Sequence, residues 1–557
     1  MWNNRIAGDR MTLKRGIAPA LLILMMLASW AYAPMQAHAH ATAESMVPEP
    51  NTQMNESPPK VEVHFNEQIE TGIGGIQVLD STSKPVTENK HTVSENRKEI
   101  SLELPKLGEG VYTVSYSIVS ADGHPVSGSY IFVVGNPPNA RDASAFDLHK
   151  QLGHSGHGAT TEVTVSELLL YLSRGLYYAA LLLSTGLMLW YGMLRNKTEV
   201  HRKLFGKWGL WTIRGLLIVS LFYVFIHARE LMEGQPTSDW AKLFTKTEVG
   251  ISWLILLVLA LLGFLVLKSG SAIIKILWAA ALLVLEGFNG HAAAYEPKWY
   301  ALLLDIVHLA GSAIWAGGLA FLLVLWLEER KDAGRFAAAF SRVAWISIVV
   351  LTITGLLSTF LFLPDLSYLF YTSWGILLVI KTVLVLFVIV TGAFLRFRVR
   401  RGDLPSGTLL KVDVGLMAAI IIVVGIFTYI SPLPANTPFS KHVMGTDKHF
   451  TLRITPNVPG ENRFTVKIWL PEKSGEATEP KRVKLLLRSL DKPDLGAIEV
   501  PVEPYKDEEI DAFPDFTKST YQAKGPFIPF PGKWMAEVRI LTPEDDEIVF
   551  TEEFRNY

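Results

Sequence analysis

Between about residues 165 and 431 the chain is a succession of apolar stretches, and this constrains its fold more than any other feature. Candidate spans are 165–194, 207–229, 248–268, 272–290, 301–327, 341–363, 372–396 and 409–431. Each is near the roughly 20 residues that cross a bilayer. Lipid cannot satisfy backbone N–H and C=O groups, so such stretches must be helical. The expectation is a polytopic α-helical bundle of about eight transmembrane helices over 164–431. Spans 248–268 and 272–290 are joined by a very short turn.

The start of the chain sets the orientation. Arg5, Arg10, Lys14 and Arg15 precede an apolar run at 16–33, and Ala37-x-Ala39 supplies small residues for a signal peptidase. A signal peptide at 1–39 would leave His40 first in the mature protein. With that end exported, the cytoplasmic loops lie near Arg195–Lys203, Lys268–Lys275, Glu328–Arg335 and Arg396–Lys411. They carry basic clusters such as Arg396-Phe397-Arg398-Val399-Arg400-Arg401, whereas 230–247, 291–300 and 364–371 are poorer in them. This obeys the positive-inside rule. An even number of spans returns the C-terminus outside. The expected location is the plasma membrane, multi-pass, with both terminal domains extracellular.

The polar flanks read as β structure. Residues 40–135 contain Val61-Glu62-Val63-His64-Phe65, Ile100-Ser101-Leu102-Glu103-Leu104, Val111–Tyr116 and Tyr130–Val134, separated by turn residues. The expected fold is an N-terminal β-sandwich of immunoglobulin or cupredoxin type. Residues 136–163 form a linker carrying His149, His154 and His157, either a metal relay or a solvated spacer. Pro432 and Pro434 mark the exit to residues 432–557, an extracellular β-rich accessory domain. Its His442, Met444 and His449 are either a metal site or a solvated segment.

Composition narrows the chemistry. The chain of 557 residues has a formal net charge of -1 and no cysteine. No polyanion partner is implied, so nucleic acid is excluded, and no thiolate can hold a metal or act as nucleophile. The chain lacks a phosphate-binding loop. Any metal must be held by His, Asp, Glu, Met, amine or backbone groups. A mature N-terminal His40 would offer an amine and an imidazole to one ion, a pair suited to Cu(II). Asp122 and His124, two apart, would share a face if extended. Asp122-Gly123-His124-Pro125 also suits an ordinary turn.

The N-terminal domain resembles the CopC family of exported copper-binding proteins. The resemblance rests on His40, on His64-Phe65-Asn66-Glu67, and on Val119-Ser120-Ala121-Asp122-Gly123-His124-Pro125 leading to Gly128. It implies that His40, Asp122 and His124 ligate Cu(II), with Glu67 ligating or orienting. Some relatives carry a Met-rich Cu(I) site. Here only Met46 and Met54 occur, so a single Cu(II)-type site is expected.

The helical region resembles CopD, a membrane family associated with copper uptake. Gly290-His291-Ala292, Asp305-x-x-His308, Trp315-Ala316-Gly317-Gly318, Phe340-Ser341-Arg342, Thr354-Gly355, and Thr372-x-Trp374-Gly375 with Lys381 carry that resemblance. The combination is similar to the CopC–CopD fusion copper transport proteins of YcnJ type.

The residues support a site there independently. Asp305, His308, Ser312 and Trp315 share one helical face. A bilayer-centre Asp costs roughly 2.5–3.5 kcal/mol on insertion scales, so that face should point into the bundle. Arg174 and Lys381 could be counter-charges for Asp305 and Glu286, and these groups could equally form structural ion pairs. His227, His291 and His308 fall in the outer part of the bilayer, with His227 also readable as an interfacial residue. Met188, Met193 and Met417 form no ladder. The expected function is copper acquisition without enzymatic turnover: Cu(II) capture outside, then import by the helices, where Cu(I) stays open. The alternatives are a membrane haem cupric reductase using paired His ligands, and a copper sensor or scavenger without transport.

Overall fold

The computed structural model describes the chain from Ala41 onward, leaving aside 42, 49, 51, 83, 121–122, 124, 136–163, 195–196, 233–236, 291, 293–294, 296, 364–365, 367, 434–435, 437, 445–448, 473–476 and 508–514. His40, Asp122, His124, His291, the leader and the linker histidines therefore lie outside the described residues. The chain divides into a helical unit and a unit containing both β domains.

In the N-terminal domain, β1 (Ala43–Val47), β3 (Lys60–Phe65), β6 (Glu99–Glu103) and β5 (Thr92–Val93) form one sheet in the order β1-β3-β6-β5. The facing sheet runs β2 (Thr52–Met54), β8 (Pro125–Val134), β7 (Gly110–Ser120) and β4 (Ile69–Leu79). Period-two patterning directs Val61, Val63 and Phe65 into the core with Ile100, Leu102, Val114 and Phe132. Met46 and Met54 pack against that core.

Among the described residues, eight helices are long and apolar enough to cross a membrane: α1 (Val165–Met193), α2 (Glu199–Leu231), α3 (Glu248–Lys268), α4 (Ala272–Asn289), α5 (Lys298–Glu328), α6 (Arg330–Phe362), α7 (Ser373–Arg400) and α8 (Gly407–Phe427). Several outrun the expected spans. Hydropathy marks only the apolar part, whereas a helix continues until something caps or breaks it. Thr164 opens α1 with a capping box, its hydroxyl accepting from the Glu167 N–H and its N–H donating to the Glu167 carboxylate. Thr372 caps α7 by accepting from the Gly375 N–H at 2.9 Å.

The short turn between α3 and α4 is built by a buried cation. Lys275 Nζ donates to the carbonyls of Val266, Leu267 and Ser269 at 2.6, 2.9 and 2.7 Å. Those are orphan acceptors of a helix C-terminus. Ser271 accepts from the Ile274 N–H to start α4.

Small residues bring α1 and α5 together. A Cβ on Gly186 would lie 2.0 Å from the Ala313 carbonyl oxygen, and one on Gly317 would lie 2.5 Å from the Gly186 carbonyl carbon. Such close approach is how helices associate where water supplies no drive. Trp190 Nε1 donates to the Ile314 carbonyl at 2.7 Å across the same pair.

The C-terminal domain is a second β-sandwich. A five-stranded sheet runs β14 (Glu503–Pro504), β15 (Phe516–Ile528), β11 (Gly460–Pro471), β10 (His449–Thr455) and β9 (Phe439–Met444). Its partner runs β13 (Ile498–Val500), β12 (Arg482–Ser489), β16 (Gly532–Leu541) and β17 (Glu547–Asn556). Phe450, Leu452, Phe464, Val466, Trp534 and Val538 form its core.

Candidate functional site

Strand register brings three parts of the N-terminal domain to one end. Ala43 pairs with Phe65 at the end of β3, so the chain leading into β1 lies beside the residues that follow Phe65. Glu67 stands in that β3–β4 connection, partly buried. Ile69, which opens β4, pairs with Ser120 at the end of β7. The β7–β8 hairpin follows immediately and closes with Val119 opposite Pro125. Ala41, next to His40, is 2% exposed and belongs to the core. Ser120, two residues before Asp122, is fully buried. The chain is thus fixed on each side of the expected ligands.

Gly123 has φ +84° and its N–H donates to the Ser120 carbonyl at 2.9 Å. Gly123, which stands between Asp122 and His124, thus adopts a turn conformation, and glycine is the residue that takes this φ without strain.

Within the helical unit, polar side chains gather in two groups. One lies among α1, α2 and α4. Tyr177 donates to the Glu286 carboxylate at 2.7 Å, and its ring stacks on Tyr223 at 4.6 Å. Tyr223 in turn lies 4.1 Å from the His227 ring. His227 Nδ1 is 2.9 Å from the Tyr223 carbonyl, which can only accept, so Nδ1 carries the proton. Its Nε2 is then a lone-pair donor, buried and without a hydrogen-bond partner among the described residues. A buried polar atom in that state calls for an ion or a water. His227 is 6% exposed and packs against Tyr223 and Trp253.

The second group lies among α5, α6 and α7. His308 Nδ1 is 2.8 Å from Thr354 Oγ1. Thr354 itself donates to the Val350 carbonyl at 2.8 Å, so its hydroxyl accepts from His308. His308 Nε2 is therefore also the lone-pair nitrogen, and it is the usual metal-binding atom of a histidine oriented this way. Asp305 lies within electrostatic reach of Glu286 and Lys381. A Cβ on Gly287 would stand 3.7 Å from Asp305 Oδ2, so the carboxylate faces α4 and the first group.

The counter-charges act at a distance. Arg174 Nη1 donates to the Thr428 carbonyl at 2.8 Å, and its guanidinium feels Glu286. Lys381 Nζ sits 5.2 Å over the Phe427 ring and feels Asp305. Sequence reasoning missed the tyrosines and Thr354 as partners of the ionisable groups. Thr354 was visible only as half of a motif, because nothing in one sequence says which helix faces His308.

In the C-terminal domain, His442 pairs across β9–β10 with Thr451, and Met444 with His449. His442 Nδ1 is 2.7 Å from Thr451 Oγ1, and the two imidazole rings lie 6.4 Å apart. His449 is only 7% exposed, whereas His442 on the neighbouring strand is exposed to solvent.

Comparison with known proteins follows the same division. The CopC domain family matches residues 43–135. The copper resistance protein D-like N-terminal domain matches 165–299, and copper resistance protein D matches 334–428. Copper transport protein CutJ of Bacillus subtilis (strain 168) is 28% identical over 559 residues, covering 94% of this chain and 97% of that protein. Protein YobA of Escherichia coli (strain K12) is 34% identical over 104 residues, 18% of this chain and 79% of that protein. A crystal structure of CopC from Methylosinus trichosporium OB3b has 32% identity, covers 17% of this chain and 93% of its own, and gives a TM-score of 0.17.

Proposed function

This chain is a CopC–CopD fusion of the copper transport and resistance families, and from that premise we propose that it acquires copper: its N-terminal domain captures Cu(II) outside the cell and its helices carry the ion inward. The observation that supports capture most directly is the meeting of the chain entering β1, Glu67 and the β7–β8 turn at one end of the sandwich. Signal-peptide cleavage would free the His40 amine there. That amine, the His40 and His124 imidazoles and the Asp122 carboxylate make a tetragonal N,O set suited to Cu(II), with Glu67 ligating or orienting.

The helices would receive the ion through His291, Asp305, His308 and His227. Imidazoles take either copper valence, and a carboxylate offsets the charge of an ion leaving water. Both β domains stand outside in the plasma membrane by the positive-inside argument. With no nucleotide motif in the sequence, entry would draw on an ion gradient, on intracellular trapping or on the membrane potential, the last roughly 2.3 kcal/mol per charge per 100 mV. The chain would act as a carrier, with no bond made or broken in its cargo.

The test is intracellular copper in cells lacking the protein. Lower accumulation under copper limitation supports import, and unchanged accumulation removes it. Reconstituted vesicles separate import from scavenging: a scavenger binds copper without admitting it to the lumen.

A further inference from the structure

We propose that Glu62, His64 and Glu99 form a second site for a divalent metal ion, on the outer face of the β1-β3-β6-β5 sheet and built from none of the capture residues. One imidazole nitrogen and one oxygen from each carboxylate all lie within 4.8 Å of one another. Strand geometry fixes the cluster. Val61, Val63 and Phe65 point into the core, so Glu62 and His64 point outward together. Glu99 stands directly opposite His64 in the antiparallel β3–β6 pair. The three ligands thus sit on two adjacent strands of one sheet, not on a loop.

The distances suit coordination. Bonds of about 2.0–2.1 Å in a tetrahedral shell set ligand atoms roughly 3.3 Å apart. His64 Nδ1 and Glu99 Oε2 are 3.5 Å apart. The side chains of Glu62, His64 and Glu99 are 13%, 37% and 30% exposed, so the pocket is partly desolvated yet reachable. One imidazole and two carboxylates leave a fourth position for water. This donor set takes borderline divalent ions, and the affinity order puts Cu(II) above Zn(II). Lys60 competes for the site by pairing with Glu62. Lys60 is 51% exposed, so water takes up its ammonium when an arriving cation displaces it.

The experiment uses the full-length protein in detergent, titrated with Cu(II) alone and Zn(II) alone against a competing chelator. His64→Gln and Glu99→Gln should each bind one equivalent fewer than the wild type, or bind it at least about tenfold more weakly. His124→Ala should remove a different equivalent, and the double variant His64→Gln/His124→Ala should lose both. Lys60→Ala, which leaves all ligands in place, should tighten the second equivalent severalfold. Unchanged stoichiometry and affinity in His64→Gln and Glu99→Gln overturn the second site. So does a Lys60→Ala variant that binds no more tightly than the wild type. Neither result touches capture at His124, and loss of the His124 effect alone would leave this site standing.

Discussion

His308 and Thr354 form a directed pair: the imidazole Nδ1–H donates to a hydroxyl 2.8 Å away whose own proton is already committed to Val350. That hydrogen bond leaves Nε2 as the ring's lone-pair nitrogen. Orienting partners of this kind typically change metal affinity by about 10–100-fold when removed.

Thr354→Val should therefore lower copper uptake by about tenfold or more, while Thr354→Ser, which keeps the acceptor, should stay near the wild type. Copper accumulation in cells carrying each variant reads the difference. Equal uptake by both would mean that the imidazole needs no orientation from α6.

Gly186 and Gly317 allow α1 and α5 to touch backbone to backbone. Gly186→Ala or Gly317→Ala should cost about 1–3 kcal/mol through overpacking. A Cβ on Gly206 inside α2 meets nothing within 4 Å, so Gly206→Ala is the control and should stabilise slightly, by up to about 1 kcal/mol. Thermal unfolding in detergent, followed by loss of the monodisperse peak, measures all three.

Lys275→Met removes three charge-assisted hydrogen bonds to the end of α3. Bonds to a charged donor contribute about 1.5–3 kcal/mol each, and relief of the buried charge offsets part of the loss. A net destabilisation of roughly 2 kcal/mol or more is expected. Unfolding at the wild-type temperature would contradict the capping role.

An alanine placed ahead of His40 in the mature protein separates amine from imidazole. Cu(II) affinity should fall at least about tenfold, roughly 1.4 kcal/mol. Cu(II) spectroscopy with N-terminal sequencing of the same sample checks start residue and ligand set together. Undiminished affinity would refute the capture geometry.

His91 is half-buried against Gly75 of β4, with its ring 3.0 Å from a Cβ built there. Burial lowers its pKa below the ordinary 6.5. The unfolded chain then binds more protons than the folded one in the window between the two values. Stability is accordingly intact above about 6.5 and declines as pH falls from there toward the lower folded value. His91→Asn should flatten that acid limb in denaturation curves taken from about pH 7 to 5.

The architecture was legible before any coordinates. Eight apolar stretches, two alternating-pattern flanks and the basic loops follow from one-dimensional periodicity, since the bilayer and the pleat each impose a fixed repeat. The short turn after α3 was legible as a length, but not as the work of Lys275, whose basic side chain also fitted a cytoplasmic loop.

The sequence alone determined which residue types could serve a metal, because the absence of cysteine leaves imidazole, carboxylate, amine and thioether. Only the tertiary structure decided which of them meet. Strand register sets Glu99 opposite His64, and packing of α5 on α6 sets Thr354 against His308. It also turned the chain at Gly123, where alternation would have kept it straight. The reason is physical: a repeat fixes which way a side chain faces on its own element, whereas its neighbour is chosen by how elements far apart in sequence bury their apolar faces together.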